Sequence, residues 1–173
     1  VATPGSDSAF KNVVIKDSLP FTRRTDLGVN AYQFKRFGAF SIAAFMPLDG
    51  KGFGHEDAYD DFGVPHNYSF CMELHSQFEH TSGMTFEFNG DDDVWLYIND
   101  SLVMDLGFVH ASTYASVVLD DLPLTFGETY PLDFFYCERQ RVGSSIDLIT
   151  NLPVLLKAGK PTSSWKRDYG NLD

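Results

Sequence analysis

From Tyr68 onward the chain alternates. Phe70, Met72 and Leu74 take turns with Cys71, Glu73 and His75, Phe86 and Phe88 with Glu87 and Asn89, and Val94, Leu96 and Ile98 with Trp95 and Tyr97. A period of two places successive side chains on opposite faces of a strand, whereas a helix needs apolar residues three and four apart. The runs are short, and turn formers separate them: Ser82-Gly83, Asn89-Gly90, Asn99-Asp100, Asp120-Asp121, Phe126-Gly127 and Val142-Gly143. LVMDL, SVVLDDLPL, TYPLDFFYC and SSIDLITNL read as further strands, with Asn99-Asp100 as the tight turn of a hairpin. Short strands punctuated in this way predict an all-β, antiparallel sandwich or barrel. Its core is expected from one face of each strand: Phe70, Met72, Leu74, Phe86, Phe88, Val94, Leu96, Ile98, Leu132 and Phe134.

The N-terminal part is less regular. VVIKDSLP (13–20) reads as a first strand, and AYQFKRFGAFSIAAF (31–45) as a strand or a short helix. PLDGKGFGHEDAYDDFGVPHN (47–67) is a long loop rich in Gly and acids. With 173 residues, 43% of them apolar and 16 of them Phe, one domain can bury a sizeable core. We assign it to residues 1–156, with 157–173 as a polar tail or linker.

Several functions are disfavoured. A net charge of −11 makes nucleic acid and anionic membrane surfaces poor partners. No apolar run approaches a membrane span, so no membrane insertion is expected. The chain begins at Val1 without a signal-peptide pattern and reads as a processed product or an excised domain. DGKGFG lacks the GK[ST] end of a phosphate loop, and neither GxSxG nor HExxH occurs. Among 24 acids, carboxylate pairs suited to glycoside cleavage are too easily imagined to count. The chain is therefore not read as an enzyme. Two Asn-x-Ser triplets, at Asn67 and Asn99, matter only where the source glycosylates secreted proteins.

The chemistry concentrates at Asp91, Asp92 and Asp93, placed directly before the apolar strand VWLYI. At roughly 5 Å two such charges repel by about 1 kcal/mol in water and up to about 3 kcal/mol at an intermediate dielectric. Either the loop is solvated or something positive sits there. The EF-hand spacing is absent, but three carboxylates bring up to six oxygens, and Ca²⁺ takes six to eight. CERQRVGSS (137–145) is a candidate second recognition loop whose backbone carbonyls are available to a metal. Asp105 and His110 flank LGFV, where a lone His is more often a hydrogen-bonded structural residue than a ligand. HEDAYDD (55–61) could hold a cation or be a solvated loop. Cys71 and Cys137 have no metal spacing and leave two readings, a pair of buried thiols or one disulfide.

FNGDDDVWLYINDSLVMDLGFVH and PLDFFYCERQRVGSSIDLIT, with DGKGFGHE and HNYSFCMELHSQF upstream, closely resemble the fibro-slime domain over residues 48–152. That domain is similar in turn to the PA-fourteen domain, a β-sandwich or barrel of adhesins, toxins and glycosidases. In its lectin members, such as the yeast flocculins, two adjacent Asp joined by a cis peptide hold Ca²⁺, a second loop adds an Asn and two carbonyls, and sugar hydroxyls complete the shell. Carried onto this chain, the resemblance implies Asp91 and Asp92 as the pair, with Asp93 beside it. Glu138 stands where the Asn would be, a departure that adds charge and length, and the carbonyls fall on Gln140 and Val142. Arg139, Arg141 and His110 could add hydrogen bonds to a ligand, and Tyr114 could stack on a sugar face. Cys71 and Cys137 lie within the resemblance, and with an acidic, surface-type chain they are expected to pair in an oxidising compartment.

The reading that follows is a secreted or cell-surface, calcium-dependent carbohydrate-binding or adhesion domain of a larger surface protein. Its partner is a glycan or a host or cell-surface ligand. The alternatives are a structural or protein-interaction module of a surface fibre or slime layer, with calcium only stabilising loops, and an accessory domain of a glycan-active enzyme.

Overall fold

The computed structural model describes residues 13–26, 30–38, 44–52, 58–141 and 143–153. Nine strands form there: β1 (Thr22–Arg24), β2 (Ala31–Arg36), β3 (Phe70–Glu79), β4 (Thr85–Gly90), β5 (Asp93–Ile98), β6 (Ser101–Leu106), β7 (Thr113–Val118), β8 (Thr129–Glu138) and β9 (Ile146–Thr150). A 3-10 turn, Leu119–Asp121, follows β7. The strands make two antiparallel sheets, ordered β1-β2-β9-β4-β7 and β3-β8-β5-β6. The expected all-β sandwich is the observed architecture.

The hairpin between β5 and β6 turns on Asn99 and Asp100, with φ of 50° and 59°. Both central residues are left-handed, as a type I′ turn requires, and Asn and Asp tolerate that region best among residues with a Cβ. VVIKDSLP (13–20) is not a strand and lies outside both sheets, and the first strand is only Thr22–Arg24. Asp17, Ser18 and Pro20 explain this, since Pro cannot donate to a ladder and Asp17 instead accepts the Ser18 N–H. Of AYQFKRFGAFSIAAF, the part 31–36 is strand, and 39–43 lie outside the described residues. SVVLDDLPL is strand only to Val118, after which the 3-10 turn reverses the chain.

Eight of the ten expected core residues are buried, with Phe88, Val94 and Leu96 wholly enclosed. Phe134 of β8 packs between Phe86 and Phe88 of the opposite sheet, with ring centroids 5.6 and 6.2 Å away. Met72 and Leu74 point inward but are only partly buried. They lie on β3, an edge strand, so no neighbouring strand covers their outer flank. Trp95 and Tyr97 occupy the opposite, outer face, where Tyr97 meets Phe135 edge-on at 5.9 Å.

Cys71 and Cys137 are directly opposed in the β3–β8 register and form a disulfide. Both face outward, Cys71 exposed and Cys137 partly so, which excludes the buried-thiol reading.

Candidate metal and ligand site

Two chain segments cross between the sheets at the same end of the sandwich. Asp91 and Asp92 join β4 of the five-stranded sheet to β5 of the four-stranded one, and residues 139–145 join β8 back to β9. Because β4 pairs with β9 and β5 with β8, the two crossings are held side by side. Gly90 makes this approach possible. A Cβ there would lie 2.4 Å from the Ser145 carbonyl oxygen and 2.6 Å from the Phe88 ring.

The three acids then take three different roles. Asp91, half-buried, accepts the Ser145 N–H at 2.6 Å. Asp92 is 1% exposed and adopts φ 57°. Its Oδ2 accepts the backbone N–H groups of Arg139 and Gln140, each at 2.8 Å, while its Oδ1 is buried without a hydrogen-bond partner. Asp93, also buried, is paired with the Arg139 guanidinium, whose Nη2 lies 2.9 Å from Oδ1 and whose Nε bonds Oδ2. The cis peptide that the resemblance implies between Asp91 and Asp92 is not present, and no cis bond occurs among the described residues. The left-handed conformation of Asp92 makes the reversal instead and aims its carboxylate at the second loop.

Glu138, at 2% exposure, closes the arrangement. Its Oε2 accepts the Tyr136 hydroxyl at 3.1 Å and its Oε1 the Gln140 N–H at 3.0 Å. Burial, reinforced by the neighbouring Asp92 carboxylate, pushes the Glu138 carboxyl up to about 9. Burial also raises Asp91, against the Ser145 N–H that favours its charged form. Burial raises Tyr136 as well, and Glu138 adds to it. Among the described residues, no Lys or Arg side chain pairs with Asp91, Asp92 or Glu138. Uncompensated, buried carboxylates are costly, and the orphaned Asp92 Oδ1 has two remedies: a proton carried by Glu138, or a cation. The donor set is all oxygen, as a hard divalent cation requires. No three His, Cys, Asp or Glu side chains close on one point among the described residues, so carbonyl or ligand oxygens must complete a shell.

The other expected site residues are placed as follows. Gln140 contributes its N–H to Asp92 and Glu138, and Val142 lies outside the described residues. Arg139 is committed to Asp93, and Arg141 is exposed. His110 bonds the carbonyls of Leu106 and Ala111 through its two ring nitrogens, a structural role. Tyr114 is exposed on β7, with its hydroxyl donating to Glu87 at 3.0 Å. In HEDAYDD, 55–57 lie outside the described residues, and Asp60 accepts the N–H groups of Phe62 and Val64 within its own turn. The tail 157–173 also lies outside the described residues. Asn67 is buried, whereas Asn99 is exposed on its turn.

Sequence reasoning passed over Ser145, Ser144 and Phe108. Ser144 receives the N–H groups of Ala44 and Phe45 at its carbonyl and donates its hydroxyl to the Phe45 carbonyl at 2.7 Å, backing the second loop with the chain before residue 46. A shallow cavity of 290 Å³ lined by Ser69, Phe70, Cys71, Glu138 and Arg139 adjoins the site.

The family model of the PA14 domain matches residues 55–162. Among curated proteins, the chain is similar to protein psiC of Dictyostelium discoideum, 47% identical over 115 residues covering 65% of this chain and 22% of psiC. Protein psiQ of the same organism is 46% identical over 121 residues, 66% of this chain and 12% of psiQ. Protein psiD is 41% identical over 143 residues, 82% of this chain and 27% of psiD. The chain thus spans from 12% to 27% of the length of these relatives. No solved structure matches it.

Proposed function

Because this chain belongs to the PA14 domain family, a class of carbohydrate-binding and adhesion-type modules, we propose that it binds glycans through a calcium ion held where its two sheet crossings meet. The observation that carries this reading is the buried Asp92 Oδ1, which has no partner beside two further desolvated carboxylates. Asp92 and Glu138, which face each other, would hold the ion, and oxygens of the second loop, the Gln140 carbonyl among them, would complete its shell. When bound, the ion supplies open coordination positions for vicinal sugar hydroxyls. The chain's own contribution is orientation. The Arg139 and Gln140 N–H groups fix Asp92, the Ser145 N–H fixes Asp91, and the Tyr136 hydroxyl and Gln140 N–H fix Glu138.

In this reading the domain binds rather than catalyses. It works outside the cell, as one module of a longer protein. Similarity to relatives several times its length supports the modular part, and the solvent-facing disulfide supports an oxidising compartment. No helix among the described residues is long and apolar enough to cross a membrane.

A glycan array probed in calcium and again in chelator tests the reading. The expected outcome is glycan binding in calcium that disappears in chelator. Equal binding in both would remove calcium from the mechanism, and no binding in either would leave the structural-module alternative.

A further inference from the structure

We propose that Phe108 contacts the ligand, presenting its ring at the rim of the acidic site to the apolar face of a pyranose. The inference rests on the glycan reading above and adds the residue that would choose among sugars.

Four described residues other than glycine have positive φ: Asp92, Asn99, Asp100 and Phe108. For the three Asp and Asn residues the left-handed region is an ordinary habitat. Phe108 sits at 101°, a genuine outlier for a bulky side chain, and glycine would adopt that backbone without strain. Nor does the side chain repay the strain by burial, since Phe108 is 76% exposed. Folding alone therefore favours glycine here. A strained residue that the surroundings nevertheless enforce marks a site where conformation serves another purpose.

The surroundings do enforce it. The Phe108 N–H donates to Asp93 Oδ1 at 2.5 Å, and the Arg139 guanidinium holds that carboxylate from the other side. Gly107, directly before it, sits against the Trp95 indole, where an added Cβ would come within 3.2 Å. After it, His110 ties its ring to the Leu106 and Ala111 carbonyls and closes the loop. The ring thus stands on a braced loop whose backbone bonds the acid directly following Asp91 and Asp92. Exposed Tyr114 is the competing aromatic, but its backbone is unstrained and its hydroxyl is already bonded to Glu87.

A phenyl ring offers no hydrogen bond. Beside groups that engage hydroxyls, it selects sugars that gather C–H groups on the face turned toward it.

The test uses methyl glycosides of galactose, mannose, glucose and N-acetylglucosamine as probes, titrated in calcium and followed by NMR. On the wild-type chain, the C–H protons of a bound glycoside should shift upfield through the ring current of Phe108. Phe108→Ala and Phe108→Gly should remove that shift and weaken affinity about tenfold. Phe108→Trp should retain both, and in chelator Phe108→Gly should melt above wild type, reporting relief of backbone strain. If the wild type binds a glycoside and Phe108→Ala binds it within twofold, Phe108 is not a contact, and the glycan reading stands without it. If the wild type binds none of the four, the glycan reading falls and the Phe108 assignment falls with it.

Discussion

Asp91 and Ser145 hold each other by two reciprocal hydrogen bonds. The Ser145 N–H donates to Asp91 Oδ1 at 2.6 Å, and the Asp91 N–H donates to the Ser145 carbonyl at 3.3 Å. They stand at the inner ends of the two sheet crossings, so this latch joins the acid loop to the second loop. It leaves Asp92 and Glu138 facing each other from fixed backbones, and the molecule's stability and its candidate chemistry meet at this point.

Gly90 is the hinge plate of that latch. Gly90→Ala places a methyl against the Ser145 carbonyl and the Phe88 ring, neither of which is a flexible side-chain end. Chemical denaturation should show a loss of about 1–3 kcal/mol, and calcium-dependent stabilisation should shrink with it. A variant as stable as wild type would mean that the crossings can separate freely.

Calcium should raise the melting temperature and chelator should lower it. A ligand that binds only the folded state adds about 2.7 kcal/mol at a hundredfold excess over Kd. Asp92→Asn should abolish the effect. Its amide oxygen can still accept the Arg139 and Gln140 N–H groups, and its nitrogen can face Glu138, so the variant should be no less stable than wild type in chelator. Identical wild-type melting in excess calcium and excess chelator would remove the metal.

The site should also respond to pH. Glu138 is held at about 9 against its ordinary 4.5. Between those values the folded chain keeps a proton that the unfolded chain has released, so metal-free stability should fall as pH rises through that window. Asp91, also raised by burial, contributes a slope of the same sign above its own ordinary range. Calcium must displace that proton, so the calcium-induced gain should grow across the window, and Glu138→Gln should flatten the metal-free slope. A calcium gain that does not vary with pH would separate Glu138 from the ion.

The disulfide should matter to folding as a tether. Cys71 and Cys137 are 66 residues apart, and closing a loop of that length is worth about 4 kcal/mol in the chain-entropy model. Free-thiol titration of denatured, unreduced protein should find almost none, and a Cys71→Ser/Cys137→Ser variant should lose about 2–4 kcal/mol in urea unfolding. Two reactive thiols in material from an oxidising compartment would contradict the pairing.

Leu96 is wholly enclosed between the sheets. Leu96→Ala should cost about 2–5 kcal/mol through lost burial and the cavity left behind. A change below about half a kcal/mol, within the range typical of surface substitutions, would put the core on the other face of β5.

The sequence by itself determined what depends on near neighbours. Alternation from Phe70 to Ile98 set strand type and facing, because a period of two is a property of the strand alone. Asn99-Asp100 announced a left-handed hairpin, because few other residues accept that backbone. The resemblance pointed to Asp91 and Asp92 and to the loop after β8, two segments that the strand pairing sets side by side. Tertiary structure decided what depends on residues far apart in the chain. Asp91, Asp92 and Asp93 look equivalent in a row, yet one latches Ser145, one is orphaned against Glu138, and one is matched by Arg139. Met72 and Leu74 have core periodicity but lie on an edge strand, and edge position is a property of the whole sheet. The resemblance puts Glu138 in the ligand set, but it becomes a desolvated carboxyl only because β8 ends where the two crossings meet. Strand facing comes from local geometry, but which charges lose their water and which find a partner is fixed only when distant loops are brought together.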